Sequence, residues 1–313
     1  MLKRASMIVA IIIMNSNAGA AKPASPTLTD LDIRLGETVE MTINNQPVRF
    51  RMAPDAISVP TLNGDAATRV GLKPSMIGFV YVIGPVRIGF RTDKVQYGVG
   101  ESVFHSRTAF SNRQLVEGAD GVAGPTTFAY RRVIFTLRDP QAGDRAIRFQ
   151  MDTDMGDSQT GVKIDVAGRV LHAAFSIDRT ESLVTATGGR WIADAHGGRF
   201  DGNTRDAAIL YGVSRPIRSL RLERPLLLGE LEVRNLAVRV SDVGSTQGIA
   251  DSTAPEPNPD EIVVTAESKR KIPNQRLYIG LDTIGHCASI TYDFKTKTVT
   301  LMCPNQPPAA SQR

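Results

Sequence analysis

The chain has 313 residues, which is enough to bury a large core and suggests about two domains. Hydrophobic residues make up 42% of it, with 27 Gly and 18 Pro, and this composition excludes a disordered or fibrous protein. The net charge of +5 is spread along the chain without a basic stripe that alternates with aromatic residues, so the sequence predicts no nucleic-acid partner.

The N-terminus has the pattern of a secretory signal peptide. Lys3 and Arg4 precede the apolar run 7–14, and Ala18-Gly19-Ala20 provides a small-x-small cleavage site. The apolar run is shorter than the roughly 20 residues that a membrane-spanning helix needs, and no later segment is long and apolar enough. The sequence therefore predicts a signal peptide over 1–20 and an exported protein, periplasmic or secreted, without a membrane span.

The segment from Leu31 to about Asp139 contains many short stretches in which apolar and polar residues alternate, punctuated by Gly and Pro. Strands of this length at regular spacing favour an all-β barrel or sandwich. The clearest strands are predicted at 79–83, 86–90 and 133–137. Helical patterns are few and short, and they fall at 66–70 and 191–195.

The second half of the chain repeats this scheme. A strand pair is predicted at 225–233 and 236–240, and it is followed by 244–260, which is rich in Ser, Thr, Pro, Asp and Gly. Such a composition cannot offset its own ordering entropy, so we expect a flexible insert there. Strand patterns resume at 261–264 and 277–280, so the insert interrupts a domain rather than separating two domains.

Two stretches, 39–72 and 162–198, repeat one order of features: an alternating strand, a turn, a second strand, a mixed run and a short helix-like segment. This order resembles the opening of a lobe in the pepsin and retropepsin family of aspartic proteases. Two later segments, 120–125 and 278–282, resemble the apolar-apolar-Gly segment beside the catalytic loop of each lobe. The resemblance implies an all-β fold of two acid-protease-like lobes, each a closed β-barrel, with few short helices.

The predicted domain boundaries follow from this resemblance. The signal peptide is followed by a lead-in over 21–30, and lobe one covers 31–145. Lobe two covers 146–304 and is interrupted by the insert at 244–260. The last residues, 305–313, are expected to form a loose tail.

The chemistry of that family needs two carboxylates about 3 Å apart that share one proton. The Asp-Thr/Ser-Gly motif that supplies them is missing from both stretches. Ala53 occupies the expected lobe-one position, and moving Asp55 there would displace it by two residues, roughly 6–7 Å along a strand. Asp178 falls within a residue of the expected place in lobe two, but Arg179 and Thr180 follow it. The remaining catalytic candidates are therefore Asp55 and Asp178, and the dyad is expected to be absent.

Three further features bear on the site. Tyr97 and Gly98 resemble the Tyr-Gly of the flap in pepsin-like enzymes and are candidate binding residues. Cys287 and Cys303 flank a predicted hairpin whose turn lies at their midpoint, which favours a disulfide, the alternative being two buried thiols. With His286 as the one nearby histidine, the cysteines cannot complete a zinc site, so no metal and no cofactor are predicted.

Three functions remain in view. The first is an exported, catalytically inactive aspartic-protease-like protein whose interlobe cleft binds an extended polypeptide by strand addition. The second is an active aspartic endopeptidase with a rearranged dyad of Asp55 and Asp178, whose carboxylates would lie within about 4 Å of each other. The third is a structural protein of the cell envelope, whose groove would be filled by side chains or by the insert. The sequence predicts no oligomeric state.

Overall fold

The computed structural model of the chain describes residues 28–152, 159–241, 245–251 and 275–305. Within these residues the chain forms twenty strands and three short helices. The first part contains, in order, β1 (Leu28–Arg34), β2 (Thr38–Ile43), β3 (Gln46–Met52), β4 (Thr61–Leu62), α1 (Gly64–Arg69), β5 (Gly78–Ile83), β6 (Val86–Val99), β7 (Ser102–Phe110), β8 (Gly121–Ala123) and β9 (Tyr130–Thr136).

The second part contains, in order, β10 (Asp144–Gln150), β11 (Val162–Val166), β12 (Arg169–Phe175), β13 (Leu183–Val184), α2 (Ala186–His196), β14 (Gly198–Leu210), β15 (Val213–Leu228), β16 (Leu231–Arg239), β17 (Ala250–Asp251), β18 (Arg276–Ile279), α3 (Leu281–Ile284), β19 (Ser289–Asp293) and β20 (Thr298–Pro304). Among the described residues, none of the helices has the length and apolar character needed to cross a membrane.

Lobe one is a closed barrel. Its strands pair in the order β2-β3-β8-β4-β7-β6, and β6 pairs again with β2, while β5 adds to the outer side of β6. Along β3 the alternation of the sequence places Val48, Phe50 and Met52 inside the barrel. Asn44 and Asn45 join β2 to β3 with positive φ, as a two-residue hairpin turn requires, and asparagine tolerates that conformation better than most residues.

Lobe two repeats the central pairing of lobe one. In lobe one, β8 runs parallel to β3 and antiparallel to β4, and β4 runs parallel to β7. In lobe two, β18 runs parallel to β12 and antiparallel to β13, and β13 runs parallel to β16. A helix follows the short strand in each lobe, α1 after β4 and α2 after β13. The predicted all-β fold, with two similar lobes and few short helices, is therefore confirmed.

A third sheet, in the order β1-β9-β19-β20-β10, joins strands from both halves of the chain beneath the lobes. Its inner side chains belong to one continuous core, in which the rings of Phe135 and Tyr292 lie 6.0 Å apart. A disulfide between Cys287 and Cys303 joins the two ends of the β19–β20 hairpin, so this prediction is confirmed. Because β1 begins at Leu28, the last residues of the predicted lead-in belong to a strand.

Part of the predicted insert packs on lobe two. β17 pairs parallel with β14, and the Asp251 carboxylate accepts a hydrogen bond of 2.6 Å from Arg218. The Gln247 carbonyl accepts a hydrogen bond from Arg190. The prediction of a flexible excursion is therefore wrong for residues 245–251. The rest of the insert, the strand predicted at 261–264, the signal peptide and all but the first residue of the tail lie outside the described residues.

Candidate functional site

The two strands that lead toward the interlobe cleft end in equivalent loops. The Ala53 amide donates a hydrogen bond of 2.9 Å to the Ala123 carbonyl, and the Ser176 amide donates one of 2.8 Å to the Ile279 carbonyl. Since β3 pairs with β8 as β12 pairs with β18, Ala53 corresponds to Ser176. Asp55 and Asp178 are then each the third residue after their strand.

Asp55, and not Ala53, is thus the lobe-one counterpart of Asp178, contrary to the sequence prediction. The loop 53–60 is one residue longer than the loop 176–182, so counting along the sequence alone does not align them. Strand pairing supplies the register that the sequence pattern lacks.

Each loop is packed against a glycine that follows a central strand. A Cβ atom on Gly124 would lie 2.7 Å from the Ala56 carbonyl oxygen, and one on Gly280 would lie 2.6 Å from the Glu181 carbonyl oxygen. Only glycine permits this approach of two backbones. The two apolar-apolar-Gly segments therefore lie beside the aspartate loops, as the resemblance implies.

A pocket of about 540 Å³ lies between the lobes. Lobe one contributes the Asp55 loop and the segment 114–117, and lobe two contributes the Asp178 loop and the tip of the β14–β15 hairpin, 207–212. Gln114, Glu117 and Ala208 on its rim are exposed, whereas Asp55 and Ser176 at its base are buried. The pocket is therefore a cleft with a polar base and a solvent-exposed rim.

Asp178 forms an ion pair across the lobes. The Arg51 guanidinium, at the end of β3, donates a hydrogen bond to the Asp178 carboxylate. About a third of the Asp178 side chain and 42% of the Arg51 side chain remain exposed. Arg179, which directly follows Asp178 in the sequence, contacts Asp55 instead.

Asp55 lies deeper, and its carboxylate is 3.8 Å from Arg179 Nε. Burial raises the pKa of the Asp55 carboxyl above its usual range, the Arg179 charge opposes this, and the Asp178 charge adds to it. Arg179 is itself held firmly, because it donates to the Ala208 carbonyl at 3.0 Å and to the Ile209 carbonyl, and its guanidinium stacks 5.1 Å above the Tyr278 ring.

Three buried polar atoms lie around the Asp55 carboxyl: Ser176 Oγ, Arg179 Nε and Tyr292 Oη. The Ser176 side chain hydrogen-bonds to Asp55 and so lowers its pKa against the effect of burial, and Arg179 Nε pairs with it at 3.8 Å. Burial raises the pKa of the Tyr292 hydroxyl, and the charge of the nearby Asp55 carboxylate raises it further.

Gln159 fixes the backbone of the Asp55 loop from the other lobe. Its side-chain amide donates a hydrogen bond of 2.5 Å to the Asp55 carbonyl, and its carbonyl oxygen accepts one of 3.2 Å from Arg276. Both Gln159 and Arg276 are buried. Sequence reasoning missed Gln159 and Arg51, because no motif marks either residue and their partners are about a hundred residues away.

Different side chains hold the backbone on the two sides of the pocket. In lobe one, the buried amide of Asn63 makes four hydrogen bonds of 2.7 to 3.2 Å to backbone groups of the segment 115–119. In lobe two, the Ser182 hydroxyl donates to the Asp282 carboxylate at 2.8 Å and accepts from the Gly280 amide at 3.0 Å. The Ser182 and Asp282 pair therefore ties the loop to α3.

The flap prediction at Tyr97 and Gly98 requires correction. Tyr97 is fully buried inside the lobe-one barrel, where its hydroxyl pairs with Thr108 and its ring stacks on Phe104 at 5.4 Å. Neither Tyr97 nor Gly98 is among the residues that line the pocket. The Tyr-Gly dipeptide is common near hairpin turns in general, so it carried no information on which hairpin faces the cleft.

The hairpin that reaches across to lobe two is β5–β6. Tyr81 and Phe90 contact the Tyr211 ring of the β14–β15 hairpin with centroids 5.6 and 5.3 Å apart. Phe79 stacks on Phe90 at 4.9 Å behind this contact. The available signal in the sequence was the alternation of aromatic residues along β5 and β6.

The described residues contain one cluster of metal-ligand type, His286 with the sulfur atoms of Cys287 and Cys303. Both sulfurs are joined in the disulfide and offer no thiolate. This cluster therefore cannot supply a tetrahedral zinc site.

No family model and no curated protein matches the chain. Among solved structures, the aspartic proteinase from Irpex lacteus is similar over 88% of this chain and 96% of that chain, with 10% sequence identity and a TM-score of 0.45. The strand pairing within each lobe, rather than this likeness, establishes the two-lobed fold.

Proposed function

We propose that the chain is an exported, catalytically inactive protein with an aspartic-protease-like fold, and that its interlobe pocket binds an extended polypeptide. The observation that carries the proposal is the arginine beside each aspartate, Arg51 at Asp178 and Arg179 at Asp55. Export is supported by the disulfide, which is typical of oxidising compartments, and by the signal-peptide pattern of the sequence.

The ion pairs argue against proteolysis. Aspartic proteolysis needs two carboxylates that share one proton and activate a water between them. Arg51 donates a hydrogen bond to the Asp178 carboxylate, so one oxygen of that carboxylate is already engaged by a cation and not by the second carboxyl. Neither aspartate is followed by the hydroxyl residue and glycine that shape the catalytic turn, since Ala56 and Ile57 follow Asp55.

The pocket walls support polypeptide binding. Leu115 and Val116 from lobe one and Ile209 and Tyr211 from lobe two line the pocket, together with the rest of the segment 207–212. Apolar walls for side chains and backbone groups for hydrogen bonds are what an extended peptide requires. The structural alternative predicted a filled groove, and the volume of about 540 Å³ weighs against it.

A hydrolysis assay tests the inactive state. Denatured casein is incubated with the purified protein from about pH 3 to about pH 8, and new amino termini are counted. We expect the wild type to produce no more new amino termini than the Asp178→Asn variant does. Release by the wild type that Asp55→Asn and Asp178→Asn both abolish would overturn the proposal.

An active endopeptidase remains the second candidate, because Asp55 and Asp178 occupy equivalent positions and burial raises the pKa of Asp55. Two equivalent aspartates at one cleft, one of them with a raised pKa, also fit the requirements of a catalytic dyad. The variant Arg51→Met separates the two functions. An endopeptidase masked by Arg51 would gain activity in this variant, whereas the inactive protein would gain none.

A further inference from the structure

Strand β5 lies at the end of the lobe-one sheet. Within the described part of the chain it pairs only with β6, in an antiparallel register that runs without a bulge from Gly78 to Ile83. The strand contains no charged residue and no proline. Edge strands of natural proteins usually carry charges, prolines or bulges that prevent another strand from pairing with them. Because β5 has none of these features, its edge can accept a further strand.

The surface beside this edge is apolar. Among the described residues eight large apolar side chains are exposed, and four of them lie within the short segment 76–82. These four are Met76, Ile77, Val80 and Val82. Single exposed apolar residues are normally scattered, whereas a contiguous apolar patch with a polar rim marks an interaction surface.

The same region carries much of the net positive charge of the chain. Residues 73–113 contain six Lys and Arg against Asp93 and Glu101, a net charge of +4, while the whole chain has +5. None of these six cations forms an ion pair with a described carboxylate. The region is therefore a positive surface whose charge is not neutralised within the described part of the chain.

Two of the arginines lie on the apolar face itself. Arg87 is directly opposite Val82 in the β5–β6 register, and Arg91 is directly opposite Gly78. Residues that are directly opposite each other in an antiparallel pair share one face of the sheet. Both arginines are exposed, as are Val80 and Val82. The outer face of the β5–β6 hairpin thus combines valines with arginines.

The opposite face of β5 is fixed against lobe two. Phe79 stacks on Phe90 at 4.9 Å, and Tyr81 packs edge-on against Tyr211 with the ring centroids 5.6 Å apart. None of the residues 76–91 lines the pocket between the lobes. The edge is therefore held in an extended conformation, and a partner can bind there without entering the pocket.

We propose that the β5 edge is a second binding site, which accepts an extended acidic segment of a partner protein by strand addition. Backbone hydrogen bonds to β5 pair the segment with the sheet, its apolar side chains cover Val80 and Val82, and its carboxylates neutralise Arg87 and Arg91. This site goes beyond the proposed function, which concerns the pocket.

The three features together favour this occupant over two others. An anionic membrane surface would match the charge, but it would not pair with the backbone groups at the edge of β5. A second copy of the chain could pair with the edge, but it would bring two positive surfaces together. An acidic extended segment matches the edge, the apolar patch and the charge.

Three fluorescein-labelled decapeptides test the proposal by fluorescence polarisation on the purified protein. One alternates Glu and Val, the second alternates Lys and Val, and the third is the Glu–Val peptide with two central valines replaced by proline, which donates no backbone hydrogen bond. We expect the Glu–Val peptide to bind about tenfold more tightly than either control, and added salt to weaken it. Equal binding of the Glu–Val and Lys–Val peptides overturns the proposal.

Charge-reversal variants locate the site. Arg87→Glu with Arg91→Glu should weaken binding of the Glu–Val peptide about tenfold or more. Arg148→Glu with Arg221→Glu makes the same change in net charge at two exposed arginines on β10 and β15, and should leave binding nearly unchanged. Circular dichroism checks that both proteins fold. Equal affinities of the two double variants would place the peptide elsewhere, and would overturn this proposal while leaving that for the pocket standing.

Hydrogen exchange identifies the mode of binding. We expect the Glu–Val peptide to slow the exchange of β5 amides that face away from β6, and to leave the exchange of β3, inside the barrel sheet, unchanged. Binding without slower exchange anywhere in 78–83 would overturn strand addition.

The two other occupants are separate outcomes. Cosedimentation with phosphatidylglycerol vesicles, in the absence of binding to the Glu–Val peptide, would identify a lipid-binding surface and overturn the proposal. Sedimentation velocity that shows a dimer in the wild type, lost in Arg87→Glu with Arg91→Glu and unaffected by the peptide, would identify a second copy and do the same.

Discussion

The loop that carries Asp55 and the loop that carries Asp178 leave equivalent strands and pack against equivalent glycines, but their surroundings differ. Asp55 is buried, its backbone is held by Gln159 and its carboxyl has a raised pKa. Asp178 is partly exposed and is paired with Arg51. The fold therefore places the two carboxylates at equivalent positions, but one is buried and the other is partly exposed, and each has an arginine from the opposite lobe beside it.

The largest expected effect comes from Asn63, which holds the lobe-one segment 115–119 at the pocket. Asn63→Ala removes four hydrogen bonds and leaves backbone groups of 115–119 unpaired in a buried place, so we expect a loss of about 3 kcal/mol in the free energy of unfolding. Chemical denaturation measures it. Asn112→Ala, at an exposed position, is the matched control and should change stability by less than about 0.5 kcal/mol. Equal midpoints for the two variants would contradict this role of Asn63.

The glycine contact in lobe two is the next test. Gly280→Ala places a Cβ atom 2.6 Å from Glu181 backbone atoms, which forces the loop to move, and we expect a loss of about 2 kcal/mol. Gly89→Ala is the control, because a Cβ atom there meets nothing within 4 Å. If both variants unfold at the same denaturant concentration, the loop does not need glycine at position 280.

The pH dependence of stability distinguishes a buried carboxyl, such as Asp55, from a carboxyl that accepts hydrogen bonds from an arginine, such as Asp144. Because burial raises the pKa of Asp55, the folded chain binds its proton more tightly than the unfolded chain, whose Asp pKa is about 3.9. The free energy of unfolding therefore falls as pH rises from that value through the raised pKa. The stability of Asp55→Asn relative to wild type should rise over the same interval, measured by denaturation at a series of pH values.

Asp144 should change stability with pH in the opposite direction and serves as the comparison. The hydrogen bond from Arg138 lowers the pKa of this carboxyl, so the wild type gains stability as pH rises from the lowered pKa toward about 3.9. The stability of Asp144→Asn relative to wild type should fall there. If the stability difference between Asp55→Asn and the wild type does not change with pH above about 3.9, the pKa of the Asp55 carboxyl is not raised.

The smallest expected effect is that of the Arg51 and Asp178 pair on stability. Both side chains are partly exposed, so Arg51→Met should cost less than about 1 kcal/mol, and added salt should reduce the loss further. Thermal unfolding at low and high salt measures it. A loss of several kcal/mol that salt does not change would mean that the pair is effectively buried.

Much of the fold could be predicted from the sequence, because alternation is a local property. The strands at 79–83 and 133–137 lie where the pattern predicts them. Helix α2 begins five residues before the predicted start at Trp191, since packing overrides local preference there. Gly188 and Gly189 favour no helix by themselves, but they let α2 approach the side chains of Val184 and Val238.

The site could be predicted only in part. The sequence singled out Asp55 and Asp178, but their equivalence depends on strand pairing across loops of unequal length. Their partners are distant in sequence: Arg51 and Asp178 are 127 positions apart, and Asp55 and Gln159 are 104 positions apart. No local pattern contains such contacts.

The central claim is that each aspartate is controlled by its own surroundings and that the two do not share a proton. A carbon-13 NMR titration of the Asp55 carboxyl, in the wild type and in Asp178→Asn, tests it most directly. Burial is the leading cause of the raised pKa of Asp55, so we expect that pKa to stay well above the usual value in the variant. A return of the Asp55 pKa to the usual value of about 3.9 when Asp178 is neutral would reveal a coupled dyad and contradict the account.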